Sequence, residues 1–514
     1  MCHPSNEPIH EEPIPEEQSP KDACGVFGVW APGEDVAKLA YYGLYALQHR
    51  GQEAAGIAVS DFTNVIVYKD LGLVAQVFDE STLATLTGSL AIGHTRYSTT
   101  GSCNYENAQP SFKQIHGGTG SIALGHNGNL TNTHELSRAL GETRRDDMGA
   151  TTDSDLITSM LAANPDLTIE EAAVGVLPQL RGAFSLVFMD ERTLYAARDR
   201  NGVRPLVLGR LQRGWVVASE TAALDIVGAS FVREVEPGEL IAIDSDGLRS
   251  RTWATAEPKG CLFEYVYLAR PDTRIAGRGV HATRVELGRQ LAREAPAVAD
   301  LVIPVPESGG PAAIGYAEQS GIPYGEGLVK NRYVGRTFIQ PSDTIRQLGI
   351  RLKLNPVREV LHGKRLVVVD DTIVRGNTQR ALVRMLREAG ALEVHVRISA
   401  PPVKWPCFYG IDFATRAELI ASAATVDEIR QHIGSDSLAY VSLDGLVAAT
   451  TIGRDRLCRA CFDGEYPIEL PSSEQLGKHL LEGMNVLGSP DPGPDALTDS
   501  LLEGVGAADA LLRP

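Results

Sequence analysis

The sequence predicts an α+β half built on antiparallel strands, followed by an α/β half built on a parallel sheet. Three observations carry this reading. Short apolar runs divided by turn residues fill residues 24–255, and alternating helix and strand patterns fill 256–470. The chain's 514 residues, 43% of them hydrophobic, suffice for two large cores.

Residues 1–23 hold five prolines and six acids against one lysine, without a periodic apolar pattern, so they read as a disordered, removable acidic leader. From Cys24 the strand candidates follow in order: CGVFGVW, NVIVYKD, SLAIGHTRYS, GSIALGHNG, AFSLVFMD, TLYAARD, GWVVAS and ELIAID. Two helices interrupt them. Leu39, Ala40, Gly43, Leu44 and Leu47 share one face, as do Leu156, Ile157, Met160 and Leu161. In the second half the strands are Leu301–Val305, Leu366–Val369 and Val394–Ile398. A helix with Leu382, Met385, Leu386 and Ala389 on one face follows the second, and Gly390 can end it. Residues 471–514 are expected to form a C-terminal helix and a mobile tail containing GSPDPGPD.

Charge narrows the partners. With 48 Lys+Arg against 65 Asp+Glu the net charge is −17, which argues against binding nucleic acid or an anionic membrane over the whole surface. A local basic pocket for phosphate stays open. Neither a spanning apolar run nor a secretory signal is readable, so the expected compartment is the cytoplasm.

LVVVDDTIVRGNT, Leu366 to Thr378, is the most informative segment. A buried strand ends in Asp370 and Asp371, and a loop then opens a helix, the place where open α/β sheets bind ligands. Backbone N–H groups from Thr372 to Thr378 suit a phosphate at the helix N-terminus. Two adjacent carboxylates suit sugar hydroxyls or Mg²⁺. A ribose phosphate meets both demands, whereas a lone acidic turn would only cap the helix. The segment resembles the ribose-phosphate loop of the type I phosphoribosyltransferases. PVPESGGPAAIG places Glu307, Ser308, Gly309 and Gly310 after another strand, where bare backbone can approach pyrophosphate. KNRYVGRTFIQPS carries Lys330, Arg332, Tyr333 and Arg336, either a solvated basic loop or a cationic loop closing over a diphosphate.

Cys24 opens the first strand. If residues 1–23 are removed, its thiolate becomes an N-terminal nucleophile with its own α-amino group as base; otherwise it is a small buried hydrophobe. LYALQHRGQEAAGIA, GHTRYST, HNGNLTN and TTDSDLI accompany it. Together these segments resemble the glutaminase domain of the N-terminal-nucleophile amidotransferases, a helix/sheet/sheet/helix fold. That resemblance implies that Arg96 holds the glutamine carboxylate, Asp153 its ammonium, and Asn127 with Gly128 the oxyanion.

Both domains in this order resemble the amidophosphoribosyltransferase family, from about Cys24 to Tyr466. The resemblance implies transfer of glutamine-derived ammonia to phosphoribosyl pyrophosphate, opening purine synthesis. It assigns Glu307, Ser308, Gly309, Lys330, Arg332, Tyr333, Arg336, Asp370, Asp371, Thr372, Arg375, Gly376, Asn377 and Thr378 to phosphoribosyl pyrophosphate. One Mg²⁺ per subunit falls to Ser308, Asp370 and Asp371. Asn377 stands where the family usually has threonine, and its side chain can still hydrogen-bond. Purine nucleotides as feedback inhibitors and a homotetramer are further implications.

Seven cysteines, an odd number in a long chain, fit metal binding or catalysis better than a disulfide framework. Cys458 and Cys461 form a CxxC; with Cys261 and Cys407 they could hold zinc or a [4Fe–4S] cluster, and spacing does not choose. The iron–sulfur branch of the resembled family implies the cluster. Cys103 is then a bystander, and Cys2 leaves with the leader. The competing readings are another glutamine amidotransferase, whose partner domain would lack VVVDDTIVRG, and a nucleotide sensor, which an intact Cys24, Arg96 and Asp153 argue against.

Overall fold

The apolar runs of the first half fold into two antiparallel sheets stacked face to face, of seven and six strands. The computed structural model describes residues 24–97, 104–115, 117, 120–143, 152–331, 353–411 and 416–470. The expected leader and tail, Cys2, Cys103, Arg332, Tyr333 and Arg336 therefore lie outside the described residues.

Strand β1 (Gly25–Trp30) is central in the seven-stranded sheet and pairs with β2 (Leu90–Arg96), Gly25 opposite Thr95. One step further along this register Cys24 comes beside Arg96. In the second sheet β3 (Ser121–Leu130) pairs with β4 (Gly182–Met189), Asn127 opposite Ser185. Val26, Ile92, Ala123, Val187 and Ile241 fill the space between the sheets. Val26, Ile92, Val187 and Ile241 each contribute about 1.5–3 kcal/mol on burial. Helix α1 (Val36–Ala46) covers the outer face of the first sheet, and α2 (Asp153–Leu161) with α3 (Ile169–Val176) covers that of the second. The layers run helix, sheet, sheet, helix, as expected. Several elements escaped the sequence reading, including the strands Ser111–Gln114, Val207–Leu211, Ser230–Glu234 and Gly247–Thr252. AAGIAVS (Ala54–Ser60) is a fully buried strand whose small residues mute its apolar signal. Helix α3 was signalled only by the Thr168/Glu171 capping box.

The second half holds four parallel strands in the order β5 (Leu301–Pro304), β6 (Arg365–Asp370), β7 (Glu393–Ile398) and β8 (Ser437–Tyr440). The fourth was not expected, because SLAY buries only Leu438. Helix α4 (Asn377–Glu388) follows β6 and turns Leu382, Met385 and Leu386 into the core, with Ala389 just beyond its end.

A buried charge network locks the halves together. Arg50, past the end of α1, donates from Nε to the Cys24 carbonyl (3.3 Å), pairs with Glu220, and grips Glu264 through Nη1 (3.1 Å) and Nη2 (2.7 Å). Glu264 also accepts from Arg204 Nη1 at 3.3 Å. Glu220 accepts from Thr273 Oγ1 (2.7 Å) and the Arg270 N–H (3.0 Å), both in the second half. All four charged side chains are buried, two cations against two anions. Burial works against the ionised Glu220, yet His49 and Arg50 hold its carboxyl far below the usual range.

Glu220→Gln leaves Arg50 with one of its two carboxylates, and removing one partner of a buried pair costs about 3–5 kcal/mol. Urea denaturation at neutral pH checks this, and a loss under ~1 kcal/mol would contradict it. Because the folded carboxyl titrates far below its unfolded value, the increment is complete above ~pH 5 and shrinks as the pH falls below ~4.

Candidate active sites

The first site gathers at the N-terminal end of β1. Cys24 Sγ lies 3.2 Å from the Tyr97 carbonyl and 3.4 Å from the Tyr97 N–H. Burial pushes its thiol up to about 12; nearby, Arg96 pulls it down while Glu53 and Asp153 push it up. A thiol so raised is no nucleophile without a base. Arg96 is buried at the end of β2. Asp153 begins α2, behind the Thr152 N-cap, and accepts from the Leu130 N–H (3.2 Å) and the Ser154 N–H (2.9 Å). Burial alone would raise its carboxyl, but His126, 3.5 Å away, and these N–H groups hold it below the usual range.

Asn127 is fully buried on β3, and neither its Nδ2 nor its Oδ1 has a hydrogen-bond partner among the described residues. Buried amides are almost always satisfied, so this orphan marks a place for a ligand. Gly128 follows it, its backbone packed against the turn at Gly410.

The second site is a cavity of about 510 Å³ at the carboxyl ends of β5 and β6. Glu307, Ser308, Lys330 and the whole run from Asp370 to Thr378 line it. Gly309 caps the helix Gly310–Ser320 and Gly376, at φ 84°, caps α4. Lys330 Nζ reaches Glu307 at 3.4 Å and Arg375 pairs with Glu418 at 2.9 Å. Asp371 binds the Thr372 hydroxyl at 2.5 Å, and Asp370 is held by the Asp371 N–H and by Gln379. Burial and the neighbouring Asp371 charge raise the Asp370 carboxyl well above the ordinary range. Burial raises Asp371 too, against the pull of Ser308 and Thr372. Two buried carboxylates in a cavity are a donor set that suits a cation or hydroxyl donors. His49 and Gln52, from the first half, also line this cavity.

The four cysteines separated in sequence come together at the junction of the halves. Cys261 and Cys458 are register partners in a short parallel pair, and Cys407 packs against the same cluster. Burial raises the Cys461 thiol, and Cys261, Cys407 and Cys458 raise it further. Among the described residues, no three His, Cys, Asp or Glu side chains form a ready metal shell.

Of the expected site residues, Glu307, Ser308, Lys330 and Asp370 to Thr378 line one cavity, Arg96 and Asp153 lie near Cys24, the four cysteines meet at the junction, and Asn127 and Gly128 lie on β3. Sequence reasoning missed Arg50, Glu220 and Glu264, although Arg50 lies in LQHRGQE and Glu264 in CLFEYVY. It also missed His126, beside Asn127 in the HNGN stretch of β3.

Fold and geometry define a class: a glutamine amidotransferase unit joined to a phosphate-binding α/β unit. A glutamine amidotransferase domain profile matches residues 94–225. An amidophosphoribosyltransferase of Mycobacterium bovis is 66% identical over 484 residues, 92% of each chain. A solved structure described as the allosteric regulatory enzyme of purine biosynthesis superposes with a TM-score of 0.83 at 46% identity, covering 89% of this chain and 99% of that one. The glutamine phosphoribosylpyrophosphate amidotransferase of Bacillus subtilis, complexed with ADP and GMP, gives 0.81 and 46%, over 88% and 98%. The chain belongs to the amidophosphoribosyltransferase family. Among the described residues no helix is long and apolar enough to cross a membrane.

The raised Asp370 carboxyl predicts a trade of stability for function. Above the pH at which the pair sheds its shared proton, the buried charge destabilises the ligand-free fold. Asp370→Asn should therefore raise its melting temperature by a few degrees at pH 8, a gain that shrinks as the pH falls, while phosphoribosyl transfer collapses. Differential scanning calorimetry at two pH values checks this; a lower melting temperature at pH 8 would contradict it.

Proposed function

We propose that this chain hydrolyses glutamine at Cys24 and delivers the ammonia to phosphoribosyl pyrophosphate in the Asp370/Asp371 cavity. The products are glutamate, 5-phosphoribosylamine and pyrophosphate, the first step of purine synthesis. The observation that carries this reading is the run His49–Gln52, where Arg50 holds the Cys24 backbone while His49 and Gln52 line the cavity.

In the first site, removal of residues 1–23 converts the Cys24 nitrogen to an α-amine. With a reference pKa near neutrality, that amine takes the thiol proton that burial otherwise holds. Arg96 binds the glutamine carboxylate and Asp153 its ammonium. The thiolate attacks the side-chain carbonyl, and the orphaned Asn127 Nδ2 with the Gly128 N–H receives the oxyanion. Ammonia leaves, and water hydrolyses the thioester to glutamate.

In the second site, the N–H groups of Thr372 to Thr378, with Arg375, Gly376 and Asn377, hold the 5-phosphate at the N-terminus of α4. Glu307, Ser308 and Gly309 border the pyrophosphate, and Lys330 supplies charge. Asp370 and Asp371 bind the ribose hydroxyls and face the positive charge that develops on the ribose. Ser308, Asp370 and Asp371 would hold one Mg²⁺ per subunit, which would supply charge neutralisation for the pyrophosphate. Arg332, Tyr333 and Arg336, which lie outside the described residues, are assigned to binding phosphoribosyl pyrophosphate.

The thiol quartet is assigned to a structural [4Fe–4S] cluster. The chemistry of the donors supports it: four mutually close thiols, Cys458 and Cys461 buried and Cys261 and Cys407 half-buried, lie together, and Cys261, Cys407 and Cys458 interact with the Arg204 guanidinium, whose Nη2 has no hydrogen-bond partner among the described residues. Feedback by purine nucleotides, a homotetramer and a cytoplasmic setting complete the reading; the ADP and GMP complex of the Bacillus subtilis protein supports the first.

Cys24→Ala should lower the glutamine-dependent rate by roughly three orders of magnitude and leave ammonium-dependent phosphoribosylamine formation near wild type. Equal loss of both would contradict separate sites. Anaerobically purified protein should carry about four iron and four sulfide per chain, lost in Cys461→Ser. Stoichiometric zinc in their place would overturn the cluster assignment.

A further inference from the structure

The thiol-bearing turn of the second half touches the oxyanion strand of the first. Gly410, three residues after Cys407, has φ 100°, and a Cβ there would lie 2.9 Å from the Gly128 carbonyl carbon, 3.0 Å from its Cα and 3.0 Å from its oxygen. Those atoms are backbone, so no side chain can swing aside. Next to Gly128, Asn129 Nδ2 donates to the Phe408 carbonyl at 3.1 Å. Behind the strand, Ser185, the register partner of Asn127, donates its hydroxyl to the Arg204 carbonyl at 3.2 Å. Arg204 Nε donates to the Tyr409 carbonyl at 2.9 Å. The Cys407–Gly410 turn thus meets the residue after Asn127 directly and the residue across from it through Arg204.

We propose that the Cys407–Gly410 turn is a brace for the oxyanion hole, and that Gly410 is a positioning residue for glutamine hydrolysis. This rests on the assignment of Asn127 and Gly128 as oxyanion donors. A donor must sit within a few tenths of an ångström of where the oxyanion forms, and Gly128 is held on this side by bare backbone at van der Waals distance. The brace lets the second half set the efficiency of chemistry in the first without contributing a group to it. It bears on Gly128, Asn129 and Arg204, beside the assigned oxyanion donors, so it acts on turnover and not on glutamine affinity.

The test compares Gly410→Ala, Asn129→Ala and Asn127→Ala with the leader-processed wild type, each as the full chain. Gly410→Ala should lower kcat for glutamate release at least tenfold, with KM for glutamine within about twofold. Ammonium-dependent pyrophosphate release, and alkylation of Cys24 by iodoacetamide, which needs no oxyanion, should stay within about twofold of wild type. Asn129→Ala should show the same split at severalfold, and it decides the matter if Gly410→Ala does not accumulate. Unchanged glutaminase kcat in the decisive variant, or a rise in KM alone, would overturn the brace. Parallel loss of ammonium-dependent activity and alkylation would equally overturn it, as a general defect. Asn127→Ala separates the two claims. Loss there with normal Gly410→Ala sinks only the brace, and full activity there sinks the oxyanion assignment beneath it.

Discussion

Four buried charges at the junction of the two halves, Arg50 and Arg204 against Glu220 and Glu264, are the constraint on which the rest depends. Taking ions from water costs several kcal/mol each, and only close pairing and full hydrogen bonding repay it. The network is closely paired because each half supplies part of it, and only Arg204 Nη2 is left without a hydrogen-bond partner among the described residues: Glu264, Thr273 and the Arg270 N–H come from the second half, Arg50, Arg204 and Glu220 from the first. Separating the halves would strand charges inside each. Both sites are tied to the network, one through the Cys24 carbonyl and the other through His49 and Arg270 at the cavity wall.

Against that paired junction, the places assigned to chemistry gather groups that the bare fold does not fully compensate. Asn127 buries an amide without a partner, Asp370 and Asp371 bury two adjacent like charges, and four thiols share one pocket. Each costs stability in the bare chain and is relieved by a different kind of guest: an oxyanion, a cation with a sugar, and a metal cluster. Folding energy concentrated at the junction is what lets these three places remain frustrated.

The sequence showed much of this before the fold was known. Wherever a motif's chemistry is local, as in VVVDDTIVRGNT or HNGN, strand, turn and helix positions followed from apolar runs and glycine spacing. The helix/sheet/sheet/helix layering and the role of each half came through resemblance. Illegible were the features made only by long-range contact. Arg50 and Glu264 stood inside quoted motifs, yet nothing local pairs residues 214 positions apart. Gly410 reads as an ordinary turn glycine until Gly128 is found against it. The short strand Ser437–Tyr440 escaped for a similar reason, since its place in the sheet is set by β7 and not by its own pattern.

The central claim is that one chain couples two sites, glutamine hydrolysis feeding ribosyl transfer. The most direct measurement is glutamate release by anaerobically purified, leader-processed protein with Mg²⁺, in the presence and absence of phosphoribosyl pyrophosphate, with pyrophosphate counted in parallel. The account predicts that phosphoribosyl pyrophosphate stimulates glutamate release strongly and that one pyrophosphate appears per glutamate. Glutaminase activity indifferent to phosphoribosyl pyrophosphate, or release of glutamate without matching pyrophosphate, would contradict it.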